Sequence, residues 1–252
     1  MPESSDRDTP ELRVGHLYPD QLNMYGDRGN IITLRQRCLW RGVTLRHTPI
    51  DLDEELRPDE FDLIFIGGGQ DKEQDEVARD LREVKGAALW AAVESDMPTL
   101  AVCGGYQLLA KFYRPAEGPE LEGIGILDAW TIHKGKAVAR CIGNVALQWG
   151  EQTLVGFENH GGRTYLEGSA PLARVASGKG NNGKDGTEGA VEGNCIGTYL
   201  HGSLLPKNPL LADALLGRAL RRRGYDAPLP PLDDSLEQQA QAAVLARLKV
   251  HA

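Results

Sequence analysis

The segment Thr99-Leu100-Ala101-Val102-Cys103-Gly104-Gly105-Tyr106-Gln107 decides the fold. Its first four residues form a short apolar run, typical of a strand that is buried on both faces. The cysteine and the two glycines after it predict a tight turn, and the pattern is helical over residues 106–112. A buried strand that turns directly into a helix indicates an α/β protein with a parallel sheet.

The rest of the first half repeats this alternation of strand and helix. Apolar residues at helical spacing predict helices, and near-continuous apolar runs predict buried strands. The predicted strands are 14–18, 43–50, 61–66 and 99–102, and the predicted helices are 30–41, 73–94 and 106–112. We therefore expect a mostly parallel sheet with helices on both faces.

The second half has a different pattern. Residues 123–200 are rich in glycine and contain short apolar runs, which predict strands and turns. Asn208 and Pro209 begin a predicted helix that ends at residue 223, and a last helix runs to residue 250 with Asp234 or Ser235 at its N-cap. We expect residues 1–11 to be a disordered tail and residues 12–252 a single domain whose second half is rich in antiparallel strands.

The composition argues against several classes of function. The chain has 252 residues and a net charge of −8, which is unfavourable for binding nucleic acid through phosphates. No apolar run reaches the about 18 residues of a transmembrane helix, and the polar start lacks a signal-peptide core. Four cysteines stand apart without a C-x-x-C motif: Cys38, Cys103, Cys141 and Cys195. This argues against a metal site and against disulfides, and it favours the cytoplasm.

Cys103 is the candidate nucleophile. The start of a helix favours a thiolate over a thiol, and its free N–H groups can stabilise an oxyanion. The alternative is a small buried cysteine at the end of a strand. A cysteine nucleophile needs a base, and His201 follows another apolar run, with His160 as the rival.

Two glycine-rich segments have different interpretations. Gly67-Gly68-Gly69 ends the strand 61–66, and its N–H groups are candidates for an oxyanion hole, although a simple turn is the alternative. Gly178 to Asp185 spells G-x-x-x-x-G-K, but Asp185 stands where a phosphate-binding loop has Ser or Thr, and no helical pattern follows. We expect a polar hairpin or a mobile loop there, and no ATP site.

The Cys103 turn and five further segments resemble the triad-type glutamine amidotransferases, in their cobyric-acid-synthase-like branch. They occur in the family's order and span residues 14–248. The segments are Tyr25-Gly26-Asp27-Arg28-Gly29-Asn30, Gly67-Gly68-Gly69-Gln70-Asp71, Glu122-Gly123-Ile124-Gly125-Ile126-Leu127-Asp128, Gly156 to Thr164 and Gly197 to Gly202. Within this branch, the chain is most similar to the glutaminase subunits of lipid II isoglutaminyl synthases. The resemblance implies a flavodoxin-like glutamine amidotransferase fold.

The resemblance also implies roles for individual residues. Cys103 would attack the side-chain carboxamide of L-glutamine, and His201 would move the proton. The family's other roles fall on Gly68 and Gly104 as oxyanion donors and on Arg140 and Gln107 as residues that bind glutamine.

The wider class often has a glutamate two residues after the histidine, but Ser203 stands there in this chain. Its branch also lacks this acid. Asp27 and Glu158 are the candidates for orienting His201, and we favour Asp27.

The family's partner would carry the ligase chemistry. The resemblance implies a heterodimer with a Mur-ligase-like subunit (MurT), which would bind ATP and magnesium and amidate the α-carboxyl group of D-glutamate in lipid II. This chain would hold no cofactor. The alternatives are a related amidotransferase that serves another acceptor, such as a cobyrinic-acid-type carboxylate, and a glutamine-binding module without catalysis.

Overall fold

A computed structural model describes residues 10–23, 26–69, 71–201 and 204–250, without the side chains of residues 71–73. Residues 1–9 of the predicted tail lie outside this range, whereas Glu11, predicted to belong to the tail, is the first residue of a strand. Fourteen strands and six helices follow one another along this part of the chain. The strands are β1 Glu11–Leu17, β2 Thr44–Ile50, β3 Leu63–Ile66, β4 Thr99–Val102, β5 Phe112–Arg114, β6 Leu121–Glu122, β7 Ala129–His133, β8 Cys141–Trp149, β9 Gln152–His160, β10 Gly162–Leu166, β11 Ala173–Ser177, β12 Thr187–Glu188, β13 Ala190–Glu192 and β14 Cys195–Thr198. The helices are α1 Arg28–Leu39, α2 Asp71–Asp80, α3 Gly86–Glu94, α4 Gly104–Leu109, α5 Pro209–Arg222 and α6 Ser235–Leu248.

The central sheet has the order β13-β14-β4-β3-β1-β2. Its strands are parallel except for β13, which pairs antiparallel with β14. Three of the four inner strands, β3, β4 and β14, are buried at every position, as expected for largely apolar strands of a parallel sheet. The predicted α/β class with a mostly parallel sheet is confirmed.

Two four-stranded sheets form most of the second half. Their orders are β10-β7-β5-β6 and β12-β11-β8-β9, and all their pairings except β5 with β7 are antiparallel. The expected richness in antiparallel strands is therefore confirmed. That residues 12–252 form a single domain stays a prediction.

Two predicted helices differ from those observed. The helix predicted over 106–112 ends at Leu109, because Ala110 has extended backbone and Phe112 begins β5. The helix predicted over 73–94 contains a π-helical turn at Leu81–Lys85 between α2 and α3. At this turn the buried Lys85 pairs with Asp80, which also accepts a hydrogen bond from Tyr18 at the end of β1.

The last two helices pack on the core through polar side chains as well as apolar ones. The Asn208 side chain bonds the backbone of Val155 in both directions, at 2.9 and 2.8 Å, while the residue caps α5. Asp234 precedes α6 as predicted, but its carboxylate binds the buried Arg37 of α1 at 2.6 Å. Leu245 of α6 packs against β8 and β9. The C-terminal helix therefore packs against the second half of the chain.

Candidate active site

The turn after β4 holds Cys103 in a strained backbone conformation. Its φ of +48° and ψ of −101° are rare for a residue with a side chain, and α4 begins directly after it. The Cys103 N–H donates to the Thr198 carbonyl oxygen at 2.8 Å, which ties the turn to the end of β14. Backbone strain of this kind concentrates at functional sites, where the surrounding structure enforces it.

Cys103, His201 and Asp27 meet around Gly68, which follows β3. A Cβ atom built on Gly68 would lie 3.1 Å from Cys103 Cβ, 3.2 Å from His201 Cε1 and 3.5 Å from Asp27 Oδ2. Cys103 Cβ and His201 Cε1 both lie within 3.2 Å of this Cβ position, so the distance between these two atoms is at most twice that value. The structure thus brings these three sequence-predicted residues together at the carboxyl edge of the parallel sheet, where α/β proteins bind their ligands.

His201 follows β14 and is fully buried. Its N–H donates to the Phe157 carbonyl oxygen at 2.8 Å, which fixes the backbone of the residue. Burial, together with the nearby positive charge of Arg140, lowers the pKa of His201 to about 4. The imidazole is therefore neutral at pH 7 and able to accept a proton.

Asp27 lies at the start of α1 and is also fully buried. Its Oδ2 accepts a hydrogen bond from the Gly68 N–H at 3.0 Å, whereas no partner for Oδ1 lies in the described part of the chain. Burial raises the pKa of Asp27 to about 7, although the Gly68 N–H opposes this shift. A carboxyl group that titrates near neutrality therefore lies beside the cysteine and the histidine.

The two rival residues have other partners. Both carboxylate oxygens of Glu158 accept backbone N–H groups, from Lys179 and Gly180 at 2.8 Å each. The His160 ring lies flat on the Tyr199 ring, with centroids 3.7 Å apart, and its Nδ1 is 2.8 Å from the Gly162 carbonyl oxygen. These contacts give both residues a role in packing the second half of the chain.

Gln107 lies one turn after Cys103 in α4, and two hydrogen bonds fix the orientation of its carboxamide. The side chain is buried; its Oε1 accepts from Gln74 Nε2 and its Nε2 donates to the Tyr199 hydroxyl, both at 3.1 Å. The same hydroxyl is 2.6 Å from Thr164 Oγ1. Gln74 and Tyr199 were missed in the sequence, because only the folded chain brings them to Gln107.

Arg140 lies at the exposed edge of the site. Its guanidinium donates to the Oδ1 and the carbonyl oxygen of Asn159, both at 3.2 Å. The buried Arg163 donates to the carbonyl oxygens of Ala139 and Gly161 at 2.6 and 2.9 Å, which fixes the backbone on both sides. Sequence reasoning missed Arg163, because its backbone partners are brought to it only by the fold.

The two predicted oxyanion donors differ in their present partners. The Gly68 N–H is engaged by Asp27, as described above. Gly104 is the first residue of α4, where an N–H has no partner within the helix. A Cβ on Gly104 would lie 2.9 Å from the Gly69 nitrogen, so the two glycine turns are in contact.

The segment 178–185 is the loop of a hairpin formed by β11 and β12. Of the two structures expected for it, a polar hairpin and a mobile loop, the hairpin is observed. The Asn182 side chain accepts the N–H groups of Lys184 and Asp185 at 3.0 and 3.1 Å, and buried Asn181 accepts from the Tyr106 hydroxyl at 3.1 Å. The loop ends in a strand, so it lacks the helix start that binds phosphate in a P-loop.

Within the ranges that the structure covers, no cluster of three or more potential metal ligands is found, and no helix is long and apolar enough to cross a membrane.

Comparisons with known proteins agree on one family. A family model of the CobB/CobQ-like glutamine amidotransferase domain matches residues 13–209. The chain is 43% identical over 238 residues to "Lipid II isoglutaminyl synthase (glutamine-hydrolyzing) subunit GatD" of Staphylococcus aureus (strain N315), with 94% of this chain and 96% of the relative covered. The subunit of the same name from Streptococcus pneumoniae (strain ATCC BAA-255 / R6) is 36% identical over 241 residues, covering 94% and 92%.

A solved structure supports the fold. PurLQS from Thermotoga maritima matches with a TM-score of 0.56 and 18% identity, covering 85% of this chain and 96% of that chain. At this identity the likeness concerns the fold alone.

Proposed function

The chain belongs to the CobB/CobQ-like glutamine amidotransferase family, and from this membership we propose that it is the glutaminase subunit of a lipid II isoglutaminyl synthase. The observation that carries the proposal is the strained Cys103 within reach of His201 around Gly68. The match over nearly the full length of a subunit with that name supports the acceptor.

In the proposed reaction, His201 takes the thiol proton and Cys103 Sγ attacks the side-chain carbonyl carbon of L-glutamine. The tetrahedral intermediate collapses by breaking the C–N bond, and His201 gives its proton to the leaving ammonia. A γ-glutamyl thioester remains. Water then attacks the thioester while His201 accepts a proton, and glutamate leaves as the thiol is restored.

The remaining site residues take part by binding. We assign the oxyanion to the N–H groups of Gly104 and Gly68, and loss of one such donor typically costs about 10²–10³ in rate. The Gly68 N–H has to leave Asp27 before it can serve, since the two are hydrogen-bonded at 3.0 Å. Arg140 would bind the α-carboxylate of glutamine, for which a guanidinium is suited, and Gln107 would contact the rest of the substrate.

The partner is part of the proposal. The relatives are named as subunits of a synthase, which supports a second chain. We propose that this chain is Mur-ligase-like (MurT), binds ATP and magnesium, and uses the ammonia to amidate the D-glutamate α-carboxyl group of lipid II. All four cysteines are buried, and none forms a disulfide within the described residues, which supports a reducing compartment, the cytoplasm.

The first experiment tests the nucleophile. Glutamate release from L-glutamine is measured for the chain together with its partner, and Cys103→Ala and His201→Ala should both be nearly inactive. Cys38→Ala, which removes a buried cysteine from α1, is the matched control and should keep its activity. Full turnover by Cys103→Ala would exclude the proposed chemistry.

A second experiment distinguishes the alternatives. A glutamine analogue with an electrophilic carbon should add covalently to Cys103, as seen in the intact mass, whereas a binding module without catalysis would bind glutamine and give no adduct. Identification of the ATP-dependent product then decides the acceptor. Amidated lipid II supports the proposal, and an amidated corrinoid would favour the cobyric-acid-type alternative.

A further inference from the structure

Helix α1 exposes large apolar side chains on the side opposite to its buried face. Ile31, Leu34 and Cys38 are buried against the core. On the other side, Ile32, Leu39 and Trp40 are 63%, 65% and 55% exposed. A surface helix normally turns polar side chains to the solvent, and clustered exposed apolar side chains mark interaction sites.

This part of the chain is also basic. Residues 28–50 contain five arginines and no acidic residue, although the whole chain has 36 acidic against 28 basic side chains. Most of these arginines have acidic partners within the chain, as with Arg28 and Asp20 at 3.1 Å. Arg35, in contrast, has no carboxylate partner in the residues that the structure covers.

The exposed face borders a groove. A cavity of about 400 Å³ lies between α1 and β2, lined by Ile32 and Arg35 on one side and by His47 and Pro49 on the other. Strand β2 is the last strand of the central sheet, so its outer edge has no strand beside it among the described residues. Asp51, which also lines the cavity, has a buried Oδ1 without a partner there. The groove thus has apolar contacts, a positive charge and an open strand edge.

The face begins at the candidate active site. Arg28, the first residue of α1, directly follows Asp27, whose carboxylate lies beside Gly68. A protein that receives ammonia from Cys103 has to cover the rim of this site to keep the product from bulk water. The start of α1 is part of that rim.

We propose that the exposed face of α1, formed by Arg28, Ile32, Arg35, Leu39 and Trp40, is the docking surface for the ligase subunit, and that the partner meets it with an apolar segment flanked by carboxylates. A second copy of this chain is a poor occupant, because two such faces would set arginines against arginines. The inference rests on the proposed function, since that function supplies the partner.

The test measures the affinity of the two purified subunits by calorimetry, using the full chain and the Mur-ligase-like subunit of the same organism. The double variant Leu39→Ser/Trp40→Ser should bind at least about tenfold more weakly, as expected for the loss of a buried anchor. Arg35→Glu should also bind at least about tenfold more weakly, whereas Arg35→Lys, which keeps the charge, should stay within about threefold of wild type. Val84→Ser is the control, because Val84 is an exposed apolar residue (38%) on the π-helical turn between α2 and α3, outside the proposed face.

None of these residues belongs to the catalytic set, so any glutaminase activity of the free subunit should be unchanged in every variant. Hydrogen exchange of the wild-type complex gives a second measurement that needs no variant, and the amides of residues 32–40 should exchange more slowly in the complex. Wild-type affinity in both weakening variants, or unchanged exchange in this segment of a complex that does form, would overturn the docking surface and leave the function intact. Failure of the wild-type chain to bind the ligase subunit at all would instead overturn the proposed function.

Discussion

Replacing Asp27 with asparagine should make the protein more stable at pH 8 while making it a poorer catalyst. The Asp27 carboxyl group is fully buried, and its charged form receives one hydrogen bond, from the Gly68 N–H. Ionisation of a buried carboxyl group is unfavourable, whereas in the unfolded chain water hydrates the charge. The ionised group therefore destabilises the folded state relative to the unfolded state. Asparagine keeps the shape and an oxygen for the Gly68 N–H, but it never ionises.

The pKa of Asp27 determines the size and the sign of the change in the free energy of unfolding. Burial moves the pKa of Asp27 from 3.8 in the unfolded chain to about 7 in the folded protein. Between these values the folded state binds more protons, so its stability falls as the pH rises through this window and stays low above it. At about 1.4 kcal/mol per pH unit, the full effect is up to about 4 kcal/mol. At pH 4 the stabilising effect of the substitution should already be small, and it should vanish below about pH 3, where the carboxyl group is protonated in both states.

The assay is denaturant unfolding of wild type and Asp27→Asn at intervals from pH 4 to pH 8. The difference between the two proteins isolates Asp27, because Glu188, whose pKa burial also raises to about 7, is present in both. Asp59→Asn, at an exposed position, should change stability by less than about 0.5 kcal/mol at every pH. An advantage for Asp27→Asn that is constant across the pH range, or a loss of stability at pH 8, would refute this reasoning about burial.

The same variant tests the catalytic role. If Asp27 orients His201, kcat for glutamine hydrolysis should fall by about 10²-fold, which is the cost of misplacing a reacting group by about 1 Å. Unchanged kcat together with the expected rise in stability would leave Asp27 as a buried acid without a catalytic role.

Three further substitutions test neighbouring contacts. Gly68→Ala should lower kcat by about 10²-fold, because its Cβ would lie 3.1 Å from Cys103 Cβ and 3.2 Å from His201 Cε1; steady-state kinetics measure this, and Gly217→Ala in α5 should be active. Glu158→Gln should cost about 1–3 kcal/mol of unfolding free energy through one lost backbone hydrogen bond, and a fall in kcat as large as that of His201→Ala would show that Glu158, and not Asp27, orients the base. Arg140→Lys should raise KM for glutamine about 10-fold or more with kcat nearly kept, because an ammonium lacks the planar fork of a guanidinium; an unchanged KM would remove Arg140 from the substrate site.

The parallel sheet could be predicted because its inner strands are visible in the sequence as short runs of apolar residues. The residues of β3 are apolar at every position and those of β4 at all but Thr99, and glycines follow each strand, so strand and turn are visible locally. The early end of α4 is not visible in this way, since Phe112 is drawn into β5 by pairing with β6 and β7. The π-helical turn likewise depends on Tyr18, which binds Asp80 from 62 residues away.

Some residues of the candidate site could also be predicted from local sequence, and others could not. Cys103 and His201 could be found because each follows a buried strand, and the ends of such strands meet in a parallel sheet. The orientation of Gln107 could not, because it depends on Gln74 and Tyr199, which lie 33 and 92 residues away. The engagement of Gly68 by Asp27 is also a property of the folded chain alone.

The hydrogen bond from Cys103 to Thr198 joins the ends of two adjacent strands, one leading to the sulfur and the other to the imidazole. The spacing of Cys103 and His201 is therefore set by the pairing of two central strands and owes little to surface loops. Under the proposed function, the exterior of the protein, and with it the choice of ammonia recipient, can change in evolution without disturbing these two residues.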